Sequence, residues 1–198
     1  MASRRILIVY GTKYGQTGKI ARFMADVFAE SHDSVMLVDA RVLPGSSQLP
    51  RGLTPRDFDG VIVGASVLNG RHQRCVEHFA RAHREELDAA PSAFFSVSGS
   101  AGDRSDAQRV AARRYVDEFV ARTGWRPLLT ECVAGAIAYR KYNPLLRWIM
   151  RRIAAKEGRP TDTTRDHELT DWAQVRRFVE AFAASAPPMH EKPRLATV

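Results

Sequence analysis

Ile6-Leu7-Ile8-Val9-Tyr10-Gly11-Thr12-Lys13-Tyr14-Gly15-Gln16-Thr17-Gly18-Lys19-Ile20-Ala21 runs from an apolar stretch through a small, hydroxyl-rich turn straight into a helical pattern. This order of residue types makes a phosphate cradle. An apolar strand carries the chain to the carboxyl edge of a parallel sheet. The helix that follows presents unpaired N–H groups and the positive end of its dipole to an anion. Thr12 and Thr17 add hydroxyl donors, Gly11, Gly15 and Gly18 let the backbone come close, and Lys13 adds a cation. The spacing is neither G-x-x-x-x-G-K-S/T, which would hold a magnesium nucleotide, nor the dinucleotide pattern G-x-G-x-x-G.

Outward from this turn, apolar runs alternate with helical ones, the pattern of a parallel sheet covered on both faces. Strands are expected at Arg5 to Tyr10, Val35 to Asp39, Val61 to Ala65, Ala93 to Val97 and Leu128 to Ala134. Helical periodicity predicts Thr17 to Glu30, Cys75 to Leu87, Arg104 to Thr123 with an inward stripe of Val110, Tyr115, Val116, Phe119 and Val120, and Asp171 to Ala184. Gly124 is placed as a C-terminal cap and Thr170 or Asp171 as an N-cap. Leu43 to Asp57, rich in proline and glycine, reads as a loop or short helical turn. At 198 residues the expectation is one α/β domain over 1–186, with an insertion at about 140–166 and a flexible tail at 187–198.

The order aromatic, x, Thr, x, x, Gly, x, Thr, x, x, x, Ala in the opening turn resembles the FMN-phosphate loop of flavodoxins. That resemblance implies a flavodoxin-like sheet in the order 2-1-3-4-5, whose ligand site lies beyond the carboxyl ends of strands one and three. Two further loops then reach that edge: Ser66-Val67-Leu68-Asn69-Gly70-Arg71-His72, and Ser96-Val97-Ser98-Gly99-Ser100-Ala101-Gly102-Asp103. An isoalloxazine needs walls for its faces and backbone partners for its polar rim, which loops of Ser and Gly supply. The expected cofactor contacts are therefore Thr12, Lys13, Tyr14, Gly15, Gln16 and Thr17 for phosphate, and Ser66, Val67, Leu68, Asn69, Gly70, Ser96, Val97, Ser98, Gly99, Gly102 and Asp103 for the ring.

Beyond the cradle, several segments together resemble the flavodoxin-like, menaquinone-dependent protoporphyrinogen IX dehydrogenases of heme biosynthesis. They are Val63-Gly64-Ala65-Ser66 with Gly70, Pro91-Ser92-Ala93-Phe94-Phe95-Ser96-Val97, Gly124-Trp125-Arg126-Pro127, Ala134-Gly135-Ala136 with Tyr139, and Thr161-Asp162 leading to Thr170-Asp171-Trp172. The resemblance covers nearly the whole chain. It implies FMN, a porphyrinogen donor and a menaquinone acceptor, with Arg71, His72 and Arg140 as candidates for the porphyrinogen carboxylates. The chain departs from the family pattern at Leu68 and Asn69, where the family tends to place a basic residue and an aromatic before the loop glycine, and across Ser98 to Asp106. Two other readings keep the flavin: a quinone reductase fed by a nicotinamide, and a flavodoxin-type electron carrier. A deazaflavin in place of FMN stays open.

Thirty Lys and Arg against 22 Asp and Glu give a net charge of +8, which suits anionic partners. No aromatic-and-basic recognition motif points to nucleic acid. Cys75 and Cys132 stand outside any metal-ligand spacing, so no metal and two free thiols are expected. Met1 to Arg5 lacks a signal-peptide core and no run reaches the roughly 18 apolar residues of a spanning helix, so the expected place is the cytoplasm. Within the insertion, Tyr142 to Lys156 reads as a basic helix with Leu145, Trp148, Ile149, Arg152 and Ile153 near one face. That face suits the anionic inner surface of the cell membrane, its own domain, or a partner subunit in a homodimer.

Overall fold

Alternate side chains of a strand point to opposite faces, so a run of four fully buried aliphatics needs cover on both sides. Strand β1 (Arg5–Gly11) meets this demand: Ile6 and Ile8 face one core, Leu7 and Val9 another. In the computed structural model, which describes residues 3–45, 47–102 and 106–187, the first core is closed by α1 (Gln16–Glu30) and α6 (Trp172–Ser185). The second is closed by α2 (Arg74–Ala82), α3 (Arg84–Ala89) and α4 (Asp106–Thr123).

Around β1 the parallel sheet is completed by β2 (Ser34–Asp39), β3 (Gly60–Leu68), β5 (Ser92–Ser98) and β6 (Leu129–Ala134), in the order β2-β1-β3-β5-β6. Ile6 pairs with Val35 on one side and Gly60 on the other, and Ala93 pairs with both Ile62 and Leu129. This is the expected five-strand flavodoxin-like order. A sixth strand, β4 (Arg71–His72), was not anticipated; it folds back antiparallel on the end of β3, pairing Leu68 with Arg71 and Val67 with His72. Its turn is Asn69-Gly70, both at positive φ (50° and 77°), the geometry of a type I′ hairpin.

Two helical expectations need correction. The predicted Cys75 to Leu87 helix breaks at His83, which ends α2 and begins α3. Its ring nitrogens lie 2.6 Å from Glu86 Oε2 and 3.0 Å from the carbonyl oxygen of Ser47. Val110 does not face inward from α4; it is exposed, and the buried stripe is Ala112, Val116 and Phe119. The start of that helix at Arg104 lies outside the described residues, as do Asp103 and the tail beyond 187. Of the two N-cap candidates for α6, Asp171 takes the role, accepting from the Gln174 N–H at 3.1 Å. Gly124 closes α4 at φ 72°, its N–H bonded to Val120 O. Leu43 to Asp57 is a loop with two 3-10 turns, Pro50–Gly52 and Pro55–Asp57.

The insertion has structure of its own. A small antiparallel pair, β7 (Ala136–Ile137) with β8 (His167–Glu168), brackets α5 (Pro144–Lys156). Asn143 caps α5 by accepting from Leu146 N–H at 2.8 Å, with Pro144 in the first turn. Ile137, Ala138, Tyr139, Tyr142 and Ala154 form a third cluster, against which Tyr14, Leu146, Met150 and Leu169 pack. No helix of the described residues is long and apolar enough to cross a membrane.

Candidate functional site

The loop after β1 is held open at a helix start. Thr12 Oγ1 accepts the Gly15 N–H at 2.9 Å, which turns the chain, and Gly15 sits at φ 106° immediately before α1. Only glycine takes that conformation without strain. No side chain caps α1 and its first turn carries no acid, so its amides and dipole face the loop uncompensated. Thr17 is fully buried, and its hydroxyl has no hydrogen-bond partner. A buried hydroxyl without a partner costs roughly 1–3 kcal/mol, so it waits for one. An anion with several acceptor oxygens answers the amides and the hydroxyl together.

Other residues of the loop are tied into the fold. Gln16 Nε2 donates to Thr170 Oγ1 at 2.9 Å, and that hydroxyl donates to Ala134 O at 2.7 Å. The Tyr14 ring meets Tyr142 edge-on, centroids 4.9 Å apart, and Lys141 Nζ donates to Tyr14 O. Lys13 is exposed.

The ends of β3 and β5 stand beside this loop in sheet order, so all three loops share one carboxyl edge, where ligands of open α/β sheets bind. The hairpin after β3 leaves Leu68, Asn69, Gly70 and Arg71 exposed and Val67 half-buried, while the Ser66 hydroxyl accepts from Gln73 Nε2 at 2.8 Å. After β5, Ser98 Oγ accepts the Ala101 N–H at 3.2 Å, and a tight turn links Gly102 N–H to Gly99 O. A hollow of about 460 Å³ exists elsewhere, between β2 and the 42–52 loop, but there no helix start meets an unpartnered hydroxyl.

Two expected contacts are corrected. His72 cannot reach a substrate carboxylate: it is 3% exposed, its ring meeting Phe94 and Phe119 edge-on, with Nε2 2.9 Å from Ser96 Oγ. Burial, with Arg122 nearby, pushes its pKa down to about 4, so it is neutral near pH 7. Ser96, in turn, is an interior residue of β5, its hydroxyl taken by His72, and Val97 is buried one position later. Arg71 and Arg140 are both exposed, and Arg140 N–H donates to Asp166 Oδ1. Cys75 and Cys132 are free thiols whose pKa burial raises, which makes neither a ready nucleophile. Among the described residues no group of His, Cys, Asp and Glu is arranged to hold a metal ion.

Sequence reasoning missed Lys141, Thr170 and the hairpin. Asn69-Gly70 announces a hairpin by itself, but Lys141 and Thr170 reach the loop from over 120 residues away, and no local pattern signals that.

Residues 7–164 match the flavodoxin domain family model. Over 200 residues the chain is 33% identical to the protoporphyrinogen IX dehydrogenase (quinone) of Leishmania major, spanning 99% of this chain and 82% of that one. The chain belongs to this flavodoxin-domain family. Its Escherichia coli K12 relative of the same name is 29% identical over 181 residues, 90% of this chain and 94% of that one. Among solved structures, oxidised flavodoxin 1 from Bacillus cereus superposes with a TM-score of 0.52 at 16% identity, covering 91% of this chain and 97% of the other. Rubredoxin oxygen:oxidoreductase from Desulfovibrio gigas superposes at 0.55 and 16%, with the chain spanning 36% of that longer protein. These two share the fold. Membership makes the chain a flavin-binding oxidoreductase of flavodoxin type.

Proposed function

We propose that the protein binds FMN and oxidises protoporphyrinogen IX to protoporphyrin IX in three two-electron steps, each electron pair and two protons reducing one menaquinone to menaquinol. The observation that carries the cofactor reading is the buried, unpartnered Thr17 hydroxyl at the uncapped start of α1, which fits a phosphate ester. The substrate and acceptor classes follow the names of the family relatives. A bound flavin supplies the electron-pair chemistry.

The chain's own residues bind, orient and shield. Thr12, Thr17 and the free amides of the first turn of α1 take the phosphate, while Gly15, bonded to Thr12, and Gln16, locked to Thr170, fix the loop's shape. The 66–72 hairpin walls one side of the ring site, and the 98–102 turn offers backbone groups to its polar rim. Arg71 and Arg140, exposed and basic, take the porphyrinogen carboxylates. Helix α5 rests on the anionic bilayer that holds the quinone.

An anaerobic mix of FMN-loaded protein with protoporphyrinogen IX, followed by flavin absorbance and porphyrin fluorescence, tests this. Bleaching, porphyrin formation above the autoxidation control, and recovery on adding a menaquinone analogue are expected. Arg71→Glu with Arg140→Glu raises the apparent KM for porphyrinogen and leaves FMN affinity unchanged. A flavin that ignores porphyrinogen but bleaches with NADH makes the protein a quinone reductase instead.

A further inference from the structure

Most cations near the cradle are already matched or directed elsewhere. Lys19 pairs with Glu168, and Arg176 with Glu30. Lys13, the loop's own lysine, is exposed and makes no hydrogen bond or ion pair among the described residues. Lys141 differs from all of these. It rises from the turn between β7 and α5, and its ammonium donates to the carbonyl of Tyr14. A Cβ built on Gly15 would lie 3.2 Å from Nζ, so the ammonium sits at the turn that opens α1. An ammonium has three N–H donors, and Tyr14 O takes one; no carboxylate pairs with Lys141 among the described residues.

We propose that Lys141 is a ligand of the nucleotide phosphate, and that through it the 136–168 segment is a strap drawn over the cofactor. The proposal rests on the phosphate reading of the cradle. A phosphate ester is largely a dianion above pH ~6, and the cradle offers it amides, hydroxyls and one exposed lysine, Lys13, that nothing holds in place. Lys141 supplies a cation already held at the loop. Its position is not left to a flexible stem, because its neighbours are fastened to the same loop. Tyr142 lies edge-on to Tyr14, Thr170 accepts from Gln16, and Glu168 pairs with Lys19. The strap and Thr170 just beyond it therefore hold Tyr14 and the start of α1 through four contacts, and the phosphate would complete that hold from the ligand side.

Apo protein of full length is titrated with FMN and with riboflavin, which lacks the phosphate, by quenching of flavin fluorescence. Lys141→Met, which keeps the apolar stem, is expected to weaken FMN by about ten- to hundredfold and leave riboflavin unchanged. Lys13→Met is expected to change FMN binding far less. Hydrogen exchange across 136–168 should slow on adding FMN, less on adding riboflavin, and FMN should lose this extra effect in Lys141→Met. If Lys141→Met keeps the wild-type preference for FMN over riboflavin, or loses both ligands equally, Lys141 is not a phosphate ligand while the cradle reading stands. If the wild type itself shows no preference for FMN, the cradle reading falls and the role of Lys141 with it.

Discussion

Thr17 carries two opposed requirements in one side chain. In the free protein its hydroxyl is buried and unpartnered, a loss that folding must absorb. In a phosphate complex the same hydroxyl donates to an anion. Thr17→Val keeps the shape and removes the oxygen, so the two roles separate with opposite signs. Thermal or urea unfolding of the apo variant is expected to show a gain of about 1 kcal/mol, while FMN binds about tenfold more weakly. A variant that loses stability as well would mean that the hydroxyl already has a partner in the free protein. Gly15 beside it is the conformational half of the arrangement: at φ 106° it lets the loop open without a cap, which is why α1 meets the ligand with its amides bare.

At the scale of elements, the β3–β4 hairpin places His72 where it senses pH through stability rather than through substrate. The ring packs edge-on against both Phe94 and Phe119, which are themselves stacked 4.2 Å apart. Its folded pKa of about 4 stands below the 6.5 of an exposed histidine. As pH falls between those values the unfolded chain gains a proton that the folded chain refuses, so stability drops across that window and levels off below it. The full swing is about 3 kcal/mol. Urea midpoints of wild type and His72→Gln, compared across this range, should differ in slope, the variant being flatter; equal slopes would place the proton on another group.

The same elements show what a sequence discloses. Four of the five strands are legible as dense apolar runs and β6 as a weaker one interrupted by Thr130 and Glu131, and the phosphate turn is legible because its residue types follow one another in the chain. His72 is not placed by local pattern, because only pairing with Val67 across the Asn69-Gly70 hairpin turns its ring inward. The break at His83 depends on Ser47, 36 residues away, which no periodicity contains. Lys141 was passed over for its neighbour Arg140, since only the folded insertion brings it to Tyr14.

At the scale of the whole molecule, α5 decides how the protein meets its surroundings. It packs inward through Ala154, with Leu146 and Met150 half-buried, and leaves Leu145 (69% exposed), Trp148 (57%), Ile149 (39%) and Ile153 (42%) facing out. Arg151, Arg152 and Lys156 are exposed beside them, and Arg152 lies over the Trp148 ring. An apolar stripe rimmed by cations on a chain of net charge +8 suits an anionic bilayer, each basic residue adding about 1 kcal/mol near the surface. Docking there would bring the cofactor edge to a lipid-soluble quinone, and α5 begins three residues after Lys141, so one segment would touch both lipid and cofactor. Vesicles rich in phosphatidylglycerol should sediment the protein, less so as salt rises, while phosphatidylcholine vesicles should not. Trp148 should report the contact by a blue shift, because Trp125 is buried and Trp172 is packed on Phe23. Trp148→Glu with Ile149→Glu should abolish sedimentation and leave FMN affinity intact, since neither residue touches the cradle. If the wild type instead ignores both lipids and sediments as a dimer that the double variant splits, the stripe is a subunit interface and the quinone reaches the flavin by another route.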